Sequence, residues 1–139
     1  LSLLDGVARH LHARGLVDYR PGATGGDCFL EHLAPTPDQV VGLWLYGGRE
    51  PDALNPWDEP SLQVRVRGTR DARISRARAE AIYVELHGLG PLTLPDGTWL
   101  QLAVAVQSGP VPLGPDQNGR HEHVVNVRLD IERPTMHRP

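Results

Sequence analysis

Ser61–Leu89 reads SLQVRVRGTRDARISRARAEAIYVELHGL, and a change of period inside it decides the fold. Leu62, Val64 and Val66 alternate with Gln63, Arg65 and Arg67, the period of two expected of a half-buried strand. After Gly68 and Thr69 the period becomes helical. Ile74, Ala77, Ala81, Ile82, Leu86 and Leu89 form the predicted core face, and Arg73, Arg76, Glu80, Tyr83 and His87 recur on another. Asp71 is placed to cap the helix start, and Gly88 or Gly90 to end it. The unit is a strand feeding a long amphipathic helix, which specifies folding and leaves function to the rest of the chain.

N-terminal to it, Leu3, Leu4, Val7, Ala8 and Leu11 share a helical face. The spacing predicts a helix from Ser2 to Arg14, capped by Ser2 and stopped by Gly15. Cys28–Leu33 and Gln39–Tyr46 (QVVGLWLY) read as strands, and the short Ala34–Asp38 connection predicts that they pair as a hairpin. Residues 47–60 (GGREPDALNPWDEP) form a long polar loop, a length usually reserved for function. It holds Trp57, a residue type enriched at interface hot spots.

C-terminal to it, Pro91–Leu94 and Trp99–Gln107 flank the turn Pro95-Asp96-Gly97-Thr98. Leu100, Leu102, Val104 and Val106 are expected on the core side, with Gln101, Ala103, Ala105 and Gln107 opposite. Residues 108–120 read as a second loop. His121–Glu132 is the cleanest alternating strand, with Val125, Val127, Leu129 and Ile131 inward, and residues 133–139 are a tail.

The expected fold class is α+β: a largely antiparallel sheet of about five to six strands with two helices on one face, in the order α-β-β-β-α-β-β-β. The length of 139 residues fits one domain, 1–139. The outer sheet face is expected to carry Arg65, Arg67, Gln101, Asn126, Arg128 and Asp130.

Composition excludes several classes. The chain is 40% hydrophobic, yet no apolar run approaches the roughly 18 residues of a membrane span. LSLLDGVARHLHARG is amphipathic rather than signal-like, so an intracellular location and no membrane partner are expected. One cysteine, Cys28, excludes an internal disulfide framework and reads as a small buried hydrophobe. Net charge is -3, too mild for long-range attraction to nucleic acid, and all basic residues are arginine.

No residue pattern carries catalysis. His121 and His123 lack further ligands at metal-site spacing. There is no GxSxG elbow and no phosphate-binding loop. No metal and no cofactor are expected, and the chain does not read as an enzyme. Arg65, Arg67, Arg70, Arg73, Arg76 and Arg78 suggest an alternative, a nucleic-acid-binding module using the Arg65–Arg78 cluster. Interleaved Asp71, Glu80 and Glu85 and the lack of aromatic stacking residues favour a solvated or inter-subunit salt-bridged surface instead. A ligand-binding domain would need a deep pocket of convergent polar groups.

The blocks LLDGVARHLHARGL, QVRVRGTRDARISRARAEAIYVELHGL and PVPLGPDQNGRHEHVVNVRLDI span nearly the whole chain. Together they resemble the tail terminator proteins of tailed bacteriophages, also described as minor capsid proteins. The resemblance implies a non-catalytic virion protein that caps the tail tube as a ring, commonly of six subunits. It would join the tube to head-completion or connector proteins at the neck. Implied partners are further copies, the tail tube protein, the head-completion protein, and genomic DNA passing through the lumen unread. The implied location is the virion tail-neck region, after assembly in the host cytoplasm. The residues expected at subunit or partner contacts are Trp57, Arg65, Arg67, Arg73, Arg76, Glu80 and Arg128.

Overall fold

The cleanest alternating segment is the spine of the sheet. The computed structural model describes residues 2–139. In order they form α1 (Leu3–Ala13), β1 (Cys28–Leu30), β2 (Val40–Tyr46), β3 (Trp57–Asp58) and β4 (Ser61–Arg67). Then follow α2 (Ala72–Leu86), β5 (Leu92–Thr93), β6 (Trp99–Ala105), β7 (Val111–Pro115) and β8 (His121–Glu132). The main path through the sheet is β1-β2-β4-β8-β6-β5, with β3 and β7 also paired to β8.

One edge of β8 pairs β4 over Glu122–Arg128 and β3 over Ile131 and Glu132. Its other edge pairs β6 from Val127 to Glu132 and β7 from His121 to Val124. Its inward residues Val125, Val127, Leu129 and Ile131 are all buried. Each such side chain taken from water contributes about 2 kcal/mol.

The α+β class holds, with a mixed sheet. β1 runs parallel to β2, Cys28 opposite Val41 and Leu30 opposite Leu43. The expected hairpin is therefore corrected: residues 31–39 return to the starting end of the sheet instead of turning in place. Arg67, at the end of β4, holds this return loop. Its Nη2 donates to the carbonyls of Ala34 (2.6 Å) and Pro37 (2.8 Å), and its Nε to that of Asp38 (2.9 Å). Three carbonyls of an irregular, largely exposed loop are thus tied to the end of β4 by a buried guanidinium.

The two supposed long loops each contain a strand. β3 lies in the first and β7 in the second, and Pro112 and Pro115 mark β7 as an edge strand. The C-terminal tail is anchored as well. Arg138 donates to the carbonyls of Asp52, Asn55 and Trp57 and to the Asp58 carboxylate, so it pins residues 52–58.

A β-bulge separates Leu100 (opposite Ile131) from Leu102 (opposite Asp130). One extra residue, Gln101, reverses the faces of everything after it. Ala103 and Ala105 therefore turn toward the helices, and Leu102 and Val104 lie on the other face, reversing the expected assignment. The outer edge of β6 is taken up by the linker after α2, where Gly88 N donates to Ala103 O and Ala103 N to Leu89 O. Only glycine fits at position 90, since a Cβ there would come within 2.5 Å of the Gln101 carbonyl oxygen.

Both helices cover one face of the sheet and share one apolar core. α1 is capped by Ser2 and lies over β1 and β2. α2 is capped by Asp71 and lies over β4, β8 and β6. The helices meet where His10 Nε2 and Arg14 Nε reach the Glu85 carboxylate, at 2.8 and 3.0 Å.

α2 is rotated from its expected orientation. Ser75, Ala79, Ile82 and Leu86 are buried, while Ile74, Ala77 and Ala81 are exposed and Tyr83 packs at the core edge. Polar partners set the rotation. Ser75 Oγ shares a 2.7 Å hydrogen bond with His123 Nδ1, and Arg78 Nη2 donates to Asp27 (2.7 Å) and to Leu16 O.

His123 is buried with only 3% of its surface exposed. Burial first, and then the positive charge of Arg76 and of His121, hold its pKa below the ordinary 6.5, with Glu80 opposing. The folded state thus binds fewer protons than the unfolded one as pH falls below about 6.5. The stability contributed by neutral His123 is present above that pH and lost below it. Between pH 7 and pH 5, thermal melts should show a smaller loss of stability for His123→Gln than for the parent chain. Equal slopes would contradict this.

Arg67→Met should destabilise by about 3 kcal/mol, because three carbonyl oxygens lose a charged donor. Arg65→Met, on the open face, should cost about 1 kcal/mol or less. Urea titrations of the two variants measure the difference. Leu129→Asp or Val127→Asp should abolish the cooperative transition in circular dichroism, since either buries an uncompensated charge.

Candidate subunit and partner surfaces

The face of the sheet away from the helices is covered at one end by the 31–39 loop, over Val40 and Arg67, and is open beyond it. Trp44 and Tyr46 of β2, Gln63 and Arg65 of β4, and Asn126 and Arg128 of β8 lie side by side on it, as their registers require. A central amide links three strands. Asn126 Oδ1 accepts from Gln63 Nε2 (3.1 Å) and Tyr46 Oη (3.4 Å), and Asn126 Nδ2 donates to Gln107 (3.2 Å). The Arg65 guanidinium carbon sits 5.4 Å from the Trp44 ring centroid, a cation–π distance.

Arg65 Nε is shielded from solvent without a hydrogen-bond partner among the described residues, its nearest carboxylate being Glu122 at 3.8 Å. Trp44, Tyr46, Gln63 and Arg65 line a shallow depression of about 330 Å³. Arg128 lies beyond, paired with Asp130 at 3.1 Å.

The second surface is the outer side of α2, across the sheet from the first. Arg73 closes on Asp71 (2.9 Å) and Arg76 on Glu80 (3.4 Å), all largely in solvent. Hydrogen bonds from Arg73, side chain first and then backbone, hold the Asp71 carboxyl below its usual range. Beside these charges runs the unexpected stripe Ile74, Ala77, Ala81 and Val84. Trp57 belongs to neither surface: it pairs with Glu132 through β3, at one end of the sheet, and is 43% exposed.

The residues expected at contacts are therefore dispersed. Arg65 and Arg128 share the open sheet face, Arg73, Arg76 and Glu80 share α2, and Trp57 stands apart. Arg67 is corrected from a surface residue to a buried one, 4% exposed, with its donors committed to loop carbonyls. The Arg65–Arg78 run is likewise not one basic patch. Arg65 and Arg73 point to opposite sides of the sheet, Arg67 is buried, and Arg78 is held by Asp27. Arg70 borders a cleft of about 620 Å³ with Asp38, Asp71 and Arg120, where acid balances base.

The remaining chemical candidates are enclosed. Ser75 and His123 resemble a nucleophile and its base, yet at 1% and 3% exposure neither meets solvent. Cys28 is buried, and burial followed by the charge of Asp27 pushes its thiol up to about 12, so it stays protonated. Among the described residues no three His, Cys, Asp or Glu side chains are grouped as a metal ion would need, and no helix is long and apolar enough to cross a membrane.

The Trp44–Arg65 stack escaped sequence reading because the two residues lie on different strands and meet only diagonally, Trp44 standing opposite Gln63 and Arg65 opposite Gly42. The buried face of α2, Ser75, Ala79, Ile82 and Leu86 at intervals of four, three and four, has helical spacing, but its serine and alanine are too weakly hydrophobic to set it apart from the other alanine-bearing faces.

Comparison with known proteins bears on these surfaces. No curated protein matches the chain. A family model described as bacteriophage tail terminator protein matches residues 10–133, from the last turn of α1 through the end of β8. That span takes in every strand, α2, and both charged surfaces. The chain belongs to the bacteriophage tail terminator protein family, structural components of the phage tail.

Proposed function

We propose that the protein closes the end of the tail tube as a ring of copies and joins the tube to head-completion proteins at the neck. The observation that carries this reading is the family match over residues 10–133. Six copies is the number that the resemblance implies. A ring needs a heterologous interface, in which two different patches of one subunit meet in turn. Two patches of different character support it: the open sheet face with Trp44, Arg65 and Arg128, and the outer side of α2 with Arg73, Arg76 and Glu80.

Trp57, at the end of the sheet, is suited to contact the tube or the head-completion protein rather than the next subunit. Edge pairing through β7 is disfavoured, since Pro112 and Pro115 remove two of its donors. Genomic DNA passes through the lumen without being read. Balanced ion pairs on both faces fit a protein that lets nucleic acid slide past. Assembly takes place in the host cytoplasm, and the finished position is the tail-neck region of the virion.

Arg73→Glu and Arg76→Glu each place a repulsive charge on an exposed helix face without touching the core. Both variants should keep the parent melting temperature within a few degrees and lose ring formation with the tail tube protein in negative-stain images. Normal rings would remove this face from the interface. A parent protein that stays monomeric with its tube partner would overturn the ring itself.

A further inference from the structure

The chain has three asparagines, and the residue after each sets its chemistry. Asn55 precedes Pro56, whose nitrogen carries no hydrogen. Asn126 precedes Val127 inside β8, and both ends of its amide are committed, to Gln63 and Tyr46 and to Gln107. Asn118 precedes Gly119 at the exposed tip of the β7–β8 hairpin. Only the backbone of that turn is held. Asp116 Oδ1 accepts from the Asn118 and Arg120 N–H groups (2.8 and 2.9 Å), and Asp116 O from that of Gly119 (3.0 Å). The Asn118 carboxamide has no hydrogen-bond partner among the described residues.

A lone cation stands beside this tip. The Arg70 side chain lies against Gly119, where a Cβ would come within 3.6 Å of its Nε. The acids nearby are already taken, Asp71 by Arg73 (2.9 Å), and Asp38 and Asp116 by Arg120 (3.3 and 2.9 Å). Arg70 is thus the exposed arginine of the Arg65–Arg78 run that no carboxylate among the described residues pairs.

We propose that Asn118 is a site of spontaneous modification, converted to aspartate or isoaspartate with the assistance of Arg70. The Gly119 nitrogen gives its proton to hydroxide and attacks Asn118 Cγ. The new C–N bond closes a five-membered imide ring, and the side-chain nitrogen takes a proton from water and leaves as ammonia. Water then opens the ring at either carbonyl and leaves a carboxylate. Glycine at position 119 presents no side chain to crowd the attacking nitrogen. The Arg70 guanidinium favours the negative charge that develops at the reacting atoms, and afterwards gains the carboxylate as an ion-pair partner. Ring closure requires the Gly119 N–H to leave Asp116 O, so it proceeds from an opened hairpin tip, a local excursion of low free energy. The product carries one negative charge beyond the -3 of the chain, at the mouth of the cleft that Arg70 borders.

The parent, Asn118→Gln and Arg70→Gln chains are held at mildly alkaline pH, folded and in urea. Intact mass and tandem mass spectrometry of the hairpin peptide follow the conversion. The folded parent should gain about 1 Da, the exchange of an amino for a hydroxyl group, located at Asn118. Asn55 and Asn126 should stay unchanged, and Asn118→Gln should gain nothing in the same time. Arg70→Gln should convert about threefold more slowly when folded, and at the parent's rate in urea, because the cation acts only where the fold places it. Circular dichroism checks that Arg70→Gln, altered at an exposed side chain, keeps the parent fold. A folded parent of constant mass, or a gain at Asn55 or Asn126 instead, overturns the site. Equal folded rates for the parent and Arg70→Gln overturn the assistance of Arg70.

Discussion

The structure depends on one strand being hydrogen-bonded along both edges for nearly all its length. β8 runs 12 residues, about 40 Å at strand rise, and four other strands pair with it. A strand flanked in this way has no free donor row, and its alternation is fixed from both sides. One face must carry Val125, Val127, Leu129 and Ile131, and the opposite face Asn126, Arg128 and Asp130. Both helices lie against the first face, so the core follows from β8. Because β8 is the last strand, its pairing with β4 joins residues some sixty positions apart, as Ser61 and Arg128 illustrate. The sheet cannot close until β8 is present, a topology of long-range contacts that slows folding.

Arginine supplies the second layer of constraint. With no lysine in the chain, its 14 basic residues are all guanidinium groups, whose planar forks can satisfy several acceptors at once. Arg67 gathers three loop carbonyls, and Arg138 gathers three carbonyls and a carboxylate. Arg120 holds Asp116 across the β7–β8 turn and reaches Pro35 O in the β1–β2 loop. Irregular segments rich in proline and glycine are thereby given partners for backbone groups that no ladder serves. Arg67, Arg120 and Arg138 thus serve loop anchoring more than surface potential, and the six arginines from Arg65 to Arg78 are dispersed over different sides of the fold.

The parts legible in the sequence were those with local causes. α1 with its Ser2 cap, β4, the Pro95–Thr98 turn and β8 all rest on periods and turn chemistry contained within a few residues. The failures have non-local causes. β1 and β2 run parallel because Arg67, more than 25 residues away, holds their connection. The inserted Gln101 in β6 is invisible to an alternation that continues as Leu102, Val104 and Val106, and only register against β8 reveals it. α2 contains alanine on every side, so hydrophobicity leaves its rotation undetermined, and the bonds from Ser75 to His123 and from Arg78 to Asp27 decide it. Of the expected contact residues, Arg67 was misread because an alternating strand does not show where a loop folds over its end.

The open sheet face joins these arguments. A two-layer fold leaves one side of its sheet to water, and here that side carries apolar atoms of Trp44, Leu102 and Val104. The Arg65 guanidinium over Trp44 and the Asn126-centred amide network cover part of that area with groups that water also satisfies. Such a face is stable in isolation, yet its hydrogen bonds join side chains rather than backbone and can be exchanged for those of a neighbour at small net cost. The outer side of α2 is built on the same logic, with each exposed arginine beside an acid and an apolar stripe between rows of charge. A tail component has to remain soluble before it is incorporated and be held firmly afterwards. Surfaces neutralised by internal pairs meet the first need, and under the proposed ring the same pairs would meet the second when re-formed across an interface that excludes water.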